Sequence, residues 1–217
     1  ADIKQVEQLL KQLANSYAGL RDAHVQEKTL SRVISQLPFE DQAEMQPLLN
    51  YFATNNRQAS EQVKPIAAHQ GFADILQLWQ QQLRLKHRSD PGKGLDYSYR
   101  RARKLALDAH ASGEDETYHQ CRKWTKYYLY QAQLLCERKA AKPSITLLKQ
   151  LGEQLGLFQD HCVLEDSLLQ SPAQQPELAN LSQLALLAIE QQKTLDKEIA
   201  RQLFEQLYQH PHVPLAC

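Results

Sequence analysis

Between His119 and Tyr130 the chain reads HQCRKWTKYYLY. At 100° per residue, a helix there sets His119, Arg122, Lys123, Lys126 and Tyr130 on one narrow stripe. Cys121, Trp124, Tyr128, Ala132 and Leu135 fall on the opposite side. The apolar side explains itself, because an amphipathic helix buries one stripe against its neighbours. The cationic side contains no acid, and like charges spaced three and four apart repel one another. Closely spaced cations of this kind are the chemistry of anion binding. A solvated basic face is the plainer alternative.

The charge distribution bears on that choice. Lys and Arg balance Asp and Glu at 25 each. From Arg84 to Lys149, however, 15 basic residues face 7 acidic ones. A neutral average therefore conceals a basic segment that would attract a polyanion. With 217 residues, 42% of them hydrophobic, the chain is long and apolar enough to build a substantial core. Cys121, Cys136, Cys162 and Cys217 form no CxxC pair, which predicts reduced thiols and a cytoplasmic setting. No apolar run approaches the ~18 residues of a membrane span, and no signal peptide is recognisable.

The elements that must position these residues read as helices throughout. Strand alternation is absent, while Leu, Gln, Ala, Lys and Glu dominate. Helices are predicted at 2–18, 22–36, 43–68, 72–87, 95–111, 115–138, 145–157, 160–169 and 176–208. Pro47 and Pro65 are weak points of the third. Loops are predicted at SDPGKG (89–94), SGED (112–115), KAAKP (139–143) and SPAQQP (171–176). Asp22 and Asp160 each follow a short break and read as N-caps. The fold class is all-α, in bundled helices with short connections.

An internal repeat organises the chain. LLKQLANSYAGLRDAHVQEKTL (9–30) aligns without a gap on LLKQLGEQLGLFQDHCVLEDSL (147–168), with nine of 22 positions identical. Two related halves follow, one spanning 1–94 and the other 95–217. The offset of 138 residues places the counterpart of His119 before Ala1. The expectation is a first half truncated at its N-terminus, and about 40–70 further residues upstream that include a second basic helix.

The pattern H-x-x-R-K-x-x-K-x-x-x-Y, here His119, Arg122, Lys123, Lys126 and Tyr130, resembles the signature helix of the conserved-histidine alpha-helical (CHAD) family. The elements LRDAHV (20–25) and LGLFQDHCV (155–163) resemble those that close each half in that family. The resemblance implies two pseudo-symmetric helical bundles forming a single domain over 1–217. It also implies binding of inorganic polyphosphate on a basic surface, no enzymatic activity of its own, no cofactor, and a location extending to polyphosphate granules. Tyr127 and Leu129 stand where family members often carry Arg, so the basic surface is thinner here.

Polyphosphate requires only closely spaced cations and room for a strand. His119, Arg122, Lys123 and Lys126 supply one row. Arg100, Arg103 and Lys104 share a face opposite Ala102, Leu105 and Ala109 and supply a second, with Arg101 lying off it. The short SGED turn would set the two rows side by side. Arg forks grip phosphate bidentately, whereas Lys acts as a point charge. Lys149 and its repeat counterpart Lys11 are further candidates. His119 can donate to phosphate from one ring nitrogen while a neighbour holds the other.

Two other function classes are compatible with the sequence. A helical scaffold docking an acidic protein partner would use the same surface. A His-based metal module is the other, though no HExxH or His pair at i, i+4 is present, and His161 and Cys162 would point about 100° apart. Neither a Gly-rich phosphate loop nor a nucleophile motif speaks for catalysis. The Trp124, Tyr127 and Tyr128 cluster does not read as a base-stacking platform, because Trp124 and Tyr128 belong to the apolar face.

Overall fold

A computed structural model of the chain describes residues 3–62, 65–82, 90–136 and 142–211. Among the described residues the regular structure is entirely helical, as the sequence predicts. The helices group into two compact units, Ala1–Arg88 with Asp166–Ala185, and Ser89–Glu165 with Leu186–Cys217. The segment boundary read from the sequence at residue 94 lies close to Arg88/Ser89, and residues 166–185 group with the first unit.

The first unit holds α1 (Ile3–Ser16), α2 (Ala18–Ile34), α3 (Phe39–Glu44), α4 (Gln46–Gln62) and α5 (Pro65–Gln82). In it α2 packs on α4 and α1 on α5, burying Leu30, Val33, Ile34, Met45, Leu48 and Phe52. The predicted helix 43–68 is broken near its start, at Met45 between α3 and α4, and residues 63–64 before Pro65 lie outside the described residues. Pro47 lies in the first turn of α4, a position where a missing N–H costs nothing.

The second unit is a four-helix bundle. It comprises α6 (Pro91–Ser112), α7 (Asp115–Leu135), and the parts of α8 (Lys142–Gln174) and α9 (Ala179–Leu207) that fall in this unit. Its core joins Tyr99, Ala102, Cys121, Tyr128, Leu151 and Phe204, among others. Ala102, Ala106 and Ala109 are all buried along α6, and this run of small side chains lets α7 approach closely. Asp90 caps α6 by accepting from the Gly92 N–H at 2.9 Å, with Pro91 in the first turn. Residues 90–94 of SDPGKG are therefore a helix start and not a loop, the capping Asp–Pro pair outweighing the glycines, and Ser89 lies outside the described residues. The SGED connection is as predicted. Gly113 takes the left-handed conformation at φ 68° and donates to Ala109 O at 2.9 Å, ending α6.

Three further expectations are corrected. Helices 145–157 and 160–169 are one continuous α8, which runs on through most of SPAQQP to Gln174. Asp160 thus lies mid-helix, and Asp22 lies inside α2, whose N-cap position is Tyr17. Neither aspartate is an N-cap. The two repeat copies differ here because the first reads Asn15-Ser16-Tyr17-Ala18-Gly19 where the second reads Glu153-Gln154-Leu155-Gly156-Leu157. Poor helix formers break the first copy and better ones carry the second through. At the break, the Ser16 hydroxyl donates to Leu13 O at 2.7 Å, a local bond that competes with the helix. Most of KAAKP (139–141) lies outside the described residues. Lastly, Cys136 is disulfide-bonded, so the expectation of four reduced thiols does not hold. Cys121 and Cys162 are free, and Cys217 lies outside the described residues.

Candidate functional site

The cationic helix α7 is fixed at its N-terminus by a charge cluster. Lys193 of α9 donates to Asp115 Oδ2 at 2.5 Å and to Glu165 Oε2 at 2.6 Å. Lys197 reaches Asp115 Oδ1 at 2.8 Å and Gly113 O at 2.6 Å. The Lys193 side chain is only 12% exposed. Burial pulls its ammonium down, but the hydrogen bonds to Asp115 and Glu165 outweigh that and raise it above the ordinary lysine value. Burial likewise pushes the Asp115 carboxyl up, and the two lysines outweigh it and hold it below the usual carboxylate range. Beneath the cluster, the Tyr118 ring packs on Phe158 at 5.0 Å, and Lys197 lies 5.4 Å from the Tyr118 ring centre.

One turn further along, the stripe meets α8. His119 Nδ1 lies 2.6 Å from Gln159 Oε1. A carboxamide oxygen only accepts, so Nδ1 carries the proton and Nε2 is left for another partner. The Arg122 guanidinium lies across Gly156: a Cβ built on that glycine would sit 3.8 Å from Arg122 Nε and 4.0 Å from Nη2. Helices that place 119 against 159 and 122 against 156 run antiparallel, and the same register sets Lys126 opposite Gly152. A Cβ at Gly152 would meet no atom within 4 Å, although the residue itself is buried. The open space above it is a slot between the two helices. Its floor is the glycine face of α8, and its wall is formed by His119, Arg122 and Lys126, all half-buried. Lys123 is exposed beside it. Lys149, also exposed, shares the glycine face of α8 by helical spacing.

The α6 residues divide differently. Arg100 is exposed and ion-paired with Asp96 one turn earlier. Arg103 turns away and donates from Nε to Tyr208 O at 3.0 Å, satisfying a carbonyl just beyond the end of α9. Lys104 is exposed and lines a shallow depression with Lys93, Asp96, Tyr97, Arg100 and Arg101. Arg100 and Lys104 thus stand together, whereas Arg103 serves the packing of α6 on α9. Lys11 belongs to the first unit, where Glu7 engages it at 2.7 Å.

Sequence reasoning missed Gln159 and the pair Gly152 and Gly156. The signal was the LGEQLG spacing, two glycines four apart on one helix face. His161, considered as a metal ligand, is buried against Asp196, with Nδ1 2.7 Å from Oδ2. Gln154 donates to the other carboxylate oxygen of Asp196 at 2.6 Å. This is an internally satisfied polar triad. Among the described residues no group of three or more His, Cys, Asp or Glu is placed to hold a metal ion. Burial pushes the Cys121 and Cys162 thiols up to about 12, far from the range of a reactive thiolate. Among the described residues no helix is long and apolar enough to cross a membrane.

No curated protein and no solved structure matches the chain. A family model does, over residues 1–169, and it is that of the CHAD domain. That span contains the cationic stripe of α7, the glycine face of α8 and both repeat copies, and the chain belongs to the CHAD family, of which polyphosphate binding is a known property.

Proposed function

We propose that this chain binds inorganic polyphosphate in the slot between α7 and α8, without chemistry of its own and without a cofactor. The observation that carries the proposal is the pairing of a cation row with a glycine floor. Arg122 lies over Gly156, and a side chain at Gly152 would meet no atom within 4 Å. Neighbouring cations repel, so a ligand that neutralises several at once gains what separate solvent counterions supply less well. Polyphosphate is such a ligand, with about one negative charge per phosphate. Gln159 holds His119 at Nδ1, and in the charged form Nε2 donates to a phosphate oxygen. Arg122, Lys123 and Lys126 supply the permanent charge, Lys149 extends the row, and Arg100 and Lys104 form an outlying patch for the strand beyond the slot. A ligand of this kind makes polyphosphate granules in the cytoplasm the location that goes with this proposal.

Salt dependence tests it. Six neutralised phosphates, treated as on a single strand, give a log–log slope of affinity against salt of about −4. The double reversal Arg122→Glu, Lys126→Glu should flatten that slope while leaving helicity intact. Affinity should also rise with polyphosphate length, which a surface evolved for an acidic protein partner would not require. Binding that ignores salt, or that survives the double reversal, would refute the slot as the site.

A further inference from the structure

The outer face of α6 and α7 carries a row of aromatic rings that a bare phosphate chain cannot use. Tyr97 is 61% exposed and Tyr127 45% exposed. Between them stands Trp124, with ring centres 5.5 Å away on each side and both contacts edge-to-face. Tyr130, also exposed, continues the row one turn along α7. Cations flank the rings. The Arg101 guanidinium lies 6.0 Å from the Trp124 ring centre, and Lys93, Arg100 and Lys104 line the depression beside Tyr97. Lys123 is exposed one turn before Tyr127. Asp96 is the acid in that depression, and it is engaged by Arg100. Sequence reasoning set the aromatic cluster aside because Trp124 and Tyr128 lie on the apolar face. Tyr128 is indeed buried. Packing of α6 on α7, however, adds Tyr97 to the cluster and leaves Trp124 only half-covered.

Tyr side chains left this exposed give up burial that a closed core would reward. The ligand that rewards them carries both negative charge and flat apolar rings. From this combination we infer that the α6/α7 face binds single-stranded nucleic acid, its phosphates held by Lys93, Arg101, Lys104 and Lys123 and its bases stacked on Tyr97 and Tyr127. Successive bases stack on aromatic side chains without regard to sequence, and a duplex hides those same bases. The inference goes beyond polyphosphate binding, since the rings contribute nothing to a ligand without bases.

The test uses the full chain carrying Trp79→Phe, so that Trp124 is the remaining tryptophan. Oligo(dT) of about 20 nucleotides should quench Trp124 emission, and a duplex of equal length should bind at least about tenfold more weakly. Tyr97→Leu with Tyr127→Leu should weaken oligo(dT) about 100-fold, roughly tenfold per lost ring. Long-chain polyphosphate should bind that variant as before. Tyr97→Phe with Tyr127→Phe keeps the rings and should retain oligo(dT) binding. Equal affinity for duplex and single strand, no quenching, or equal losses of oligo(dT) and polyphosphate in the Leu variant would overturn the inference. Loss of polyphosphate binding in Arg122→Glu, Lys126→Glu with oligo(dT) binding intact would leave both readings standing as separate sites. Polyphosphate binding that survives that reversal would sink the slot alone.

Discussion

Gly152 allows stability and binding to be pushed in opposite directions by substitutions at one position. It lies inside the continuous helix α8, where glycine is about 0.8–1 kcal/mol worse than alanine. A Cβ there would meet nothing within 4 Å, so no contact opposes the gain. Gly152→Ala should therefore stabilise the chain by up to about 1 kcal/mol, which for a chain of this length raises Tm by roughly 2–4 °C. Gly152→Leu keeps a good helix former but fills the slot opposite Lys126. A phosphate displaced from that position loses charge-assisted hydrogen bonds worth about 1.5–3 kcal/mol, a loss of roughly 10- to 150-fold in affinity. The assays are thermal unfolding followed by circular dichroism and polyphosphate titration at one fixed ionic strength. A Leu variant that is folded and binds like the parent would show that the space above Gly152 is not where the ligand lies. An Ala variant that melts lower would show that this space is not free for a side chain.

Two further perturbations address what holds α7 in place. Asp115 is held below its usual range in the fold, so its stabilisation is full above the unfolded value of ~3.9 and is lost as pH falls through the folded value. The stabilities of wild type and Asp115→Asn from urea unfolding should therefore differ at pH 6, by about 1 kcal/mol after allowance for the partial exposure of the site, and converge as pH falls through the folded value; a constant difference would refute the ion-pair account. His161→Leu leaves buried Asp196 with Gln154 as its remaining partner in the triad, and should cost about 3 kcal/mol in a urea titration. Polyphosphate affinity of the folded variant should be unchanged, because His161 faces α9; a selective loss of binding would mean that the triad belongs to the site.

The helical class, the α6–α7 hairpin and the break of the third helix near Pro47 were legible because each has a local cause. Periodicity, a left-handed glycine and proline geometry are readable within a few residues. The continuity of α8 was not legible, since Gly156 and Asp160 look like punctuation until neighbours pack along the helix. Burial of Leu155, Phe158 and Leu164 on both sides of the apparent break overrides that weak propensity. The site divides along the same line. Composition and spacing sufficed to put His119, Arg122 and Lys126 on one stripe. They could not say that Gln159 would hold the histidine, that two glycines would clear the floor, or that Arg103 would be drawn to Tyr208. Those facts depend on the register between helices far apart in sequence.

Register also explains how a row of like charges is tolerated. Repulsion along α7 is a standing cost, and a helix free to rotate would turn its cations outward into solvent. Asp115 prevents this, because Lys193 and Lys197 of α9 hold it from one side while Tyr118 packs on Phe158 beneath. The rotation of α7 is thereby fixed one turn before His119, and the helix carries His119, Arg122 and Lys126 towards α8. Three acids of the second unit are engaged in this anchor and in the His161 triad: Asp115 and Glu165 bind lysine, and Asp196 binds His161 and Gln154. In a chain with no net charge, carboxylates thus do more than balance lysine and arginine: through Asp115 they set the rotation of the helix that bears the stripe of His119, Arg122 and Lys126.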